Sequence, residues 1–237
     1  MCHILSALMR GRIGIVVQSP NEVGYFSSLA PHAFVAYEPY GMGPIAALGD
    51  PVQPSDYVFS GGYTNRDYDL LVRAAASLSD VPFVIACKTA NRLPARLPAN
   101  VRVIRDTSWD EFHHLLAAAR LVVLPLAHDV GSSGQMVALA AMQAAKCTIY
   151  SDVPVVSQYF EDGRTGIACQ RGDVDGATQL IGRWYQDDPG AERIGRAARA
   201  ARAARAAAAA YSSDAFERAL AGHVNAFIAK EASRDRG

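Results

Sequence analysis

Apolar positions along the 237-residue chain cluster in short runs, and between the runs lie stretches of helical spacing. Beyond residue 55 the alternation is regular. Tyr57–Ser60, Val81–Cys87, Val101–Ile104, Leu121–Leu126, Cys147–Ser151 and Gly166–Cys169 read as buried strands. Arg66–Leu78 puts Tyr68, Leu71, Ala74 and Leu78 on one side of a helix, and Trp109–Ala119 does the same with Phe112, Leu115, Leu116 and Ala119. The segment Ala90–Asn100 is too proline-broken for a long helix, and a short one is expected near Val155–Phe160. Six strands alternating with helices predict an α/β fold, a doubly wound and mostly parallel Rossmann-like sheet covered on both faces.

The flanks read differently. Residues 11–18 form one strand, Ser19–Glu22 a cap, a short helix ends near Leu29, and Ala33–Tyr37 is a second strand. Two strands and one helix cannot bury their own faces, so residues 1–50 are expected to be part of a larger domain plus a linker, Glu38–Pro54, rich in Gly and Pro. Residues 51–237 then form the Rossmann-like domain with its C-terminal helices. Asp173 is placed to cap a helix running through Tyr185, and Asp187–Gly190 breaks it. Arg193, Arg196, Arg199, Arg202 and Arg205 recur every third residue of an Ala-rich helix, so they spiral around it as a solvated surface. Ser212–Asp214 caps a last helix with Phe216, Leu220, Val224 and Phe227 on one face.

In a doubly wound sheet of order 3-2-1-4-5-6, ligands bind where the winding reverses, between the ends of strands one and four. Counted from Tyr57, strand one ends at Gly61-Gly62-Tyr63-Thr64-Asn65-Arg66 and strand four leads to Ser132-Ser133-Gly134-Gln135. The two loops richest in glycine and polar residues are thereby predicted to be neighbours. Ser132 or Ser133 is expected to cap the following helix, Gly134 to let a ligand approach the backbone, and the free first-turn N–H groups to favour an anion. Arg66 is the natural cation for a diphosphate, which a guanidinium can hold in a fork of hydrogen bonds.

Composition narrows the classes. Lys plus Arg and Asp plus Glu both number 23, so no global field recruits nucleic acid. Cys2, Cys87, Cys147 and Cys169 are widely spaced without CxxC pairing, and three fall in strand-like runs, as expected of buried free thiols in a reducing compartment. The apolar opening, residues 1–9, is too short to span a bilayer and lacks the marks of an export signal. No zinc spacing, HExxH, GxSxG or Walker loop is present, so no metal is assigned. His113 and His114 point about 100° apart on a helix, which argues against a joint site. His128-Asp129 follows strand four, where a base or sugar contact could sit, and Lys88 is read as surface.

The segments YVFSGGYTNRDYDLLVRAAA, SWDEFHHLLAAARLVVLPL and GSSGQMVALAAMQAAKCTIYSDVPVVSQYFEDGRTGIACQRGD resemble, in order and spacing, the C-terminal sugar-nucleotide-binding domain of GT-B glycosyltransferases, group 1 and family 4-like. The similarity covers roughly residues 55–230. Where the family has Gly-Arg and then Lys-Gly, this chain has Gly62-Tyr63 and Arg66-Asp67. The resemblance implies a nucleoside-diphosphate sugar as donor substrate, no cofactor, and a diphosphate held by Gly61, Gly62, Arg66, Ser132, Ser133, Gly134 and Gln135. It implies the base near Arg105, Asp106 and Thr107, with His128 and Asp129 as further base or sugar contacts.

Two departures bear on function. The family's pair of glutamates, separated by seven residues, falls at Ser132 and Ala140, so the ribose needs another partner, for which Gln135 is placed. Residues 11–40 match only the last strand, helix and strand of the acceptor domain, which makes the start truncated, the enzyme split with a partner chain supplying that domain, or the chain a remnant. The expected function is sugar transfer from the nucleotide donor to a glycan, lipid or small-molecule acceptor, in the cytoplasm or peripherally at the inner membrane face. The alternatives are a non-catalytic nucleotide-sugar-binding or scaffolding remnant and a GT-B-shaped epimerase. No catalytic residue is assigned.

Overall fold

A computed structural model of the chain describes residues 13–48, 52–129, 131–207 and 213–234. Cys2, the opening run, residues 49–51 at the expected domain boundary, and Ser212 lie outside the described residues. The chain divides into two compact units: one takes in residues up to Gly43, the loop residues to Ser132 and the chain from Arg205, the other Pro44–Asp129 and Ser133–Ala204.

The larger unit carries β3 (Val58–Gly61), α2 (Tyr68–Ser77), β4 (Phe83–Cys87), β5 (Val101–Arg105), α3 (Trp109–Ala118), β6 (Leu121–Leu124), α4 (Gln135–Gln143), β7 (Thr148–Ser151), α5 (Pro154–Ser157), β8 (Ile167–Cys169), α6 (Val174–Gln186) and α7 (Asp188–Ala207). Its six strands are all parallel, in the order β5-β4-β3-β6-β7-β8. This is the 3-2-1-4-5-6 winding, and the six predicted strands account for it one for one. Side chains alternate across the pleat, so Val58, Phe83, Ile85, Leu121, Val123 and Ile149 pack with α2, α6 and α7 through Leu71, Ile181, Trp184 and Ile194. Phe59 points the other way and meets Phe112 of α3 edge-on, ring centroids 5.3 Å apart. Burial on both faces explains why these strands read as continuous apolar runs.

Local caps set the helix starts. Asp67 accepts from the Leu70 N–H (2.9 Å), Ser108 from Glu111 (3.1 Å) and Asp173 from Gly176 (2.9 Å). Helix α2 therefore begins at Tyr68, two residues later than the periodicity suggested, which leaves Arg66 in the loop. The thiols of Cys87, Cys147 and Cys169 are free and buried, and burial pushes them up, Cys147 to about 12 and Cys169 to about 11. In α7, Arg193, Arg196 and Arg199 are exposed, but the spiral carries Arg202 inward, where it is buried. The stretch read as a linker is partly built in: Gln143 of α4 exchanges two hydrogen bonds with the backbone of Ile45 (3.1 and 3.0 Å), beside a short 3₁₀ turn, Ala46–Leu48.

In the smaller unit, β1 (Gly14–Val17) and β2 (Phe34–Tyr37) pair in parallel, with α1 (Pro20–Leu29) between them in sequence. Helix α8 (Ser213–Arg234) brings Phe227 to Phe34, centroids 6.1 Å apart, and Phe216 to Tyr40, 5.7 Å. Val224, expected on that inner face, is 49% exposed. His223 lies there instead, its ring 3.2 Å from Glu38, because Phe216, Leu220, His223 and Phe227 follow the helical stripe and Val224 is turned about 100° from His223. No described helix is long and apolar enough to cross a membrane.

Gly195 of α7 passes so close to the end of α4 that a Cβ there would lie 2.0 Å from the Ala145 carbonyl oxygen. Neither backbone can yield, so Gly195→Ala should lose stability by about 1–3 kcal/mol from overpacking, against a helix-propensity gain of about 1 kcal/mol. Denaturant unfolding measures it, and an unchanged or raised midpoint contradicts this packing.

Candidate functional site

The site grows from the end of β3. A Cβ on Gly61 would fall 2.4 Å from the Phe112 ring and 2.8 Å from Phe59, so this glycine exists to let α3 close on the strand. Gly62 has φ +127°, and a Cβ there would sit 2.3 Å from Arg66 Nη2. The glycine pair thus serves two purposes: the first admits a helix, the second admits the guanidinium.

Arg66 folds back over its own loop. Its Nε donates to the Gly61 carbonyl (2.9 Å) and Nη1 to the Thr64 carbonyl (2.7 Å). Nη2 has no acceptor among the described residues. Both partners are neutral carbonyls, and burial pulls the guanidinium down to about 10, so at neutral pH it is a half-buried cation with no carboxylate partner among the described residues. The phenol of Tyr68, at the start of α2, braces the loop from below by donating to the Gly62 carbonyl (2.7 Å); burial raises its pKa.

The two loops predicted to be neighbours are hydrogen-bonded to each other. Arg66 and Leu126 form an isolated antiparallel bridge. The Asp67 N–H donates to Pro125 (3.1 Å) and the Ala127 N–H to Asn65 (3.2 Å). The Asn65 side chain adds three bonds: its Oδ1 accepts from the His128 N–H (2.8 Å), and its Nδ2 donates to the His128 carbonyl (2.9 Å) and to Ser133 Oγ (3.0 Å). From the β8 loop, Arg171 donates to the Ala127 carbonyl (3.0 Å). Asn65 and Arg171 escaped the sequence reading. Asn65 had a signal, since asparagine is the residue that tolerates the left-handed turn it adopts, φ +57°.

Neither serine caps α4. The cap position belongs to Gly134, at φ +93°, with no side-chain cap, because the turn reaches the helix through a left-handed residue that a serine would strain. The free N–H groups of the first turn stay available. Gln135, the first helical residue, is 4% exposed and its Nε2 has no partner among the described residues, which is a costly state for a buried amide. Ser132 groups with the smaller unit, where its hydroxyl donates to Glu22 (3.0 Å). Ala140 is fully buried.

On the other side of β3, Arg105 Nη1 donates to the Lys88 carbonyl (3.0 Å) and Asp106, at φ +55°, accepts from the Thr89 N–H (3.1 Å) and hydroxyl. The Thr89 bonds hold the Asp106 carboxyl below the usual range. Both side chains thus shape the loop after β4. Thr107 is different: it is 5% exposed and its hydroxyl has no partner. Lys88 lies over the Tyr63 ring, 4.8 Å from the centroid. His128 and Asp129 are exposed; the His128 backbone, not its ring, is what the loop uses. His113 is buried with Nδ1 2.7 Å from the Trp109 carbonyl, while His114 is exposed. Among the described residues no cluster of three metal-ligating side chains occurs.

Residues 54–187, more than half of the chain, match the family described as glycosyl transferases group 1. The chain belongs to that family. No curated protein matches it significantly. Among solved structures, this group 1 member is similar to sucrose-phosphate synthase from Thermosynechococcus elongatus (TM-score 0.74, 17% identity, covering 97% of this chain and 62% of that one). It is also similar to Anabaena HepE in complex with UDP-glucose (0.68, 14%, 95% and 67%) and to TarM of S. aureus (0.71, 16%, 90% and 44%). The likeness is one of fold, the α/β fold of GT-B glycosyltransferases. The chain spans less than two thirds of the synthase and of TarM.

Arg66, pulled down only to about 10, keeps its charge through neutral and mildly alkaline pH, and a bound anion raises its pKa again, so an anion held by it should bind evenly between about pH 8 and 9. Titration of UDP against the folded chain at each pH measures this; a profile identical in wild type and Arg66→Ala excludes Arg66 from the site.

Proposed function

We propose that the chain binds a nucleoside-diphosphate sugar at the β3/β6 switch point and serves in glycosyl transfer. The observation that carries this is Arg66: a half-buried cation, bonded among the described residues only to neutral carbonyls, on a loop hydrogen-bonded to the one that opens α4. A charge in that state is stabilised by an anion, and the uncapped helix N-terminus adds donors of the same preference. Both favour the diphosphate more as it takes up negative charge on departure, which is the leaving-group assistance glycosyl transfer needs. The scheme calls for no metal, since guanidinium and backbone amides supply the countercharge. The unpartnered Nε2 of Gln135 suits a ribose or sugar hydroxyl, and the Thr107 hydroxyl a base edge. The HepE structures with UDP-glucose, and with UDP and glucose, support the choice of donor class.

A non-catalytic, nucleotide-sugar-binding role is favoured by one observation. At the two positions where the family carries glutamates stand Ser132, whose hydroxyl is engaged by Glu22, and Ala140, which is buried. Binding and turnover therefore need separate readouts.

Calorimetry with UDP, GDP and ADP tests the donor site. At least one should bind, and Arg66→Ala should weaken it by about 10- to 100-fold, the loss of a hydrogen bond to a charged group. Failure of all three, or equal binding by the variant, refutes the site. Slow release of free sugar from the matching nucleotide sugar favours the enzyme, and binding without any release favours the non-catalytic reading.

A further inference from the structure

We propose that Asn65 is a positioning residue that sets the proton direction of the Ser133 hydroxyl, turning it into a hydrogen-bond donor for the bound diphosphate. This rests on the donor-site reading above.

The orientation of the Asn65 amide follows from its partners. The His128 N–H can only donate and the His128 carbonyl can only accept, so Oδ1 must face the first and Nδ2 the second. A flipped amide would put oxygen against oxygen and N–H against N–H. With one Nδ2 hydrogen committed to His128, the other is the one directed at Ser133 Oγ, 3.0 Å away. Ser133 is consequently the acceptor in that pair. Its own hydrogen has no acceptor among the described residues, although Ser133 is only 7% exposed. A nearly buried hydroxyl with a directed and unused proton stands one residue before Gly134, whose left-handed turn opens the free N–H groups of α4.

The chemistry of the ligand follows from that pairing. Were the hydroxyl free to rotate, it could present lone pairs to an incoming anion; held by an N–H donor, it presents its proton. Ser133 then joins the α4 amides as a donor to a phosphate oxygen. Asn65 reaches the ligand only through Ser133, and it also fixes the distance between the loops, because its carbonyl accepts the Ala127 N–H.

Asn65→Asp removes the bond to Ser133 together with the one to the His128 carbonyl, so it is read against Ser133→Ala, which separates the proton-setting role from loop support. The carboxylate is nearly isosteric, yet it cannot donate: the Ser133 proton should turn toward it and the phosphate should lose a donor. With UDP, GDP or ADP, whichever binds wild type, Asn65→Asp should weaken binding by about 10- to 100-fold at pH 8. The deficit relative to wild type at the same pH should shrink as the introduced carboxyl is protonated and becomes a donor again. Ser133→Ala should weaken binding to a similar degree, and Asn65→Asp should have little further effect in the Ser133→Ala background. Additive losses, an Asn65→Asp deficit independent of pH, or wild-type affinity in Ser133→Ala overturn the inference while leaving the donor site standing. Absence of nucleotide binding by wild type overturns the donor reading, and this inference with it.

Discussion

The structure of the larger unit depends on the contact between the segments that follow β3 and β6. In a parallel sheet the winding reverses at those two strands, so the loops beyond them have no crossover helix between them and would stand apart in water. Here they are tied by backbone and side chain alike, through the Arg66–Leu126 bridge, the Asp67 and Ala127 amides, and the three bonds of Asn65. These bonds tie the two loops into one frame. The donors that remain free within it, Arg66 Nη2, the Ser133 proton, the first amides of α4 and Gln135 Nε2, all favour an anionic or hydroxylated ligand.

That frame explains residue choices that would otherwise look unrelated. Gly62 is required by its φ of +127°, the Arg66 guanidinium fills the space beside it, and Tyr68 holds the Gly62 carbonyl from the start of α2. Gly134 supplies the turn that leaves α4 uncapped. Each puts a turn that only glycine takes without strain beside a group with unmet hydrogen-bonding capacity. Group 1 membership gives the combination a chemical purpose.

The sheet was legible in the sequence because strands buried on both faces are apolar throughout, and the switch point followed from strand order alone. Arg66 and the Ser133–Gln135 turn came with it. What stayed hidden depends on three-dimensional partners. The serines looked like helix caps because cap preference is local, whereas Gly134 takes that position through a positive φ that sequence does not display. That Gly61 also has a packing duty was hidden because the Phe112 ring that demands a glycine there lies 51 residues away in the chain. Asn65 carries no local mark of its role because its partners are the backbone N–H and carbonyl of His128, 63 residues away. Val224 falls outside the inner face because the stripe of Phe216, Leu220 and Phe227 passes through His223, a position that an apolar pattern skips.

The most direct measurement is a crystal structure of the chain with a bound nucleoside diphosphate. The account predicts the terminal phosphate within hydrogen-bonding distance of Arg66 Nη2, the Ser133 hydroxyl and the first amides of α4, with the base toward Thr107. A nucleotide bound elsewhere, or at this crevice with its phosphates turned away from Arg66, would contradict it.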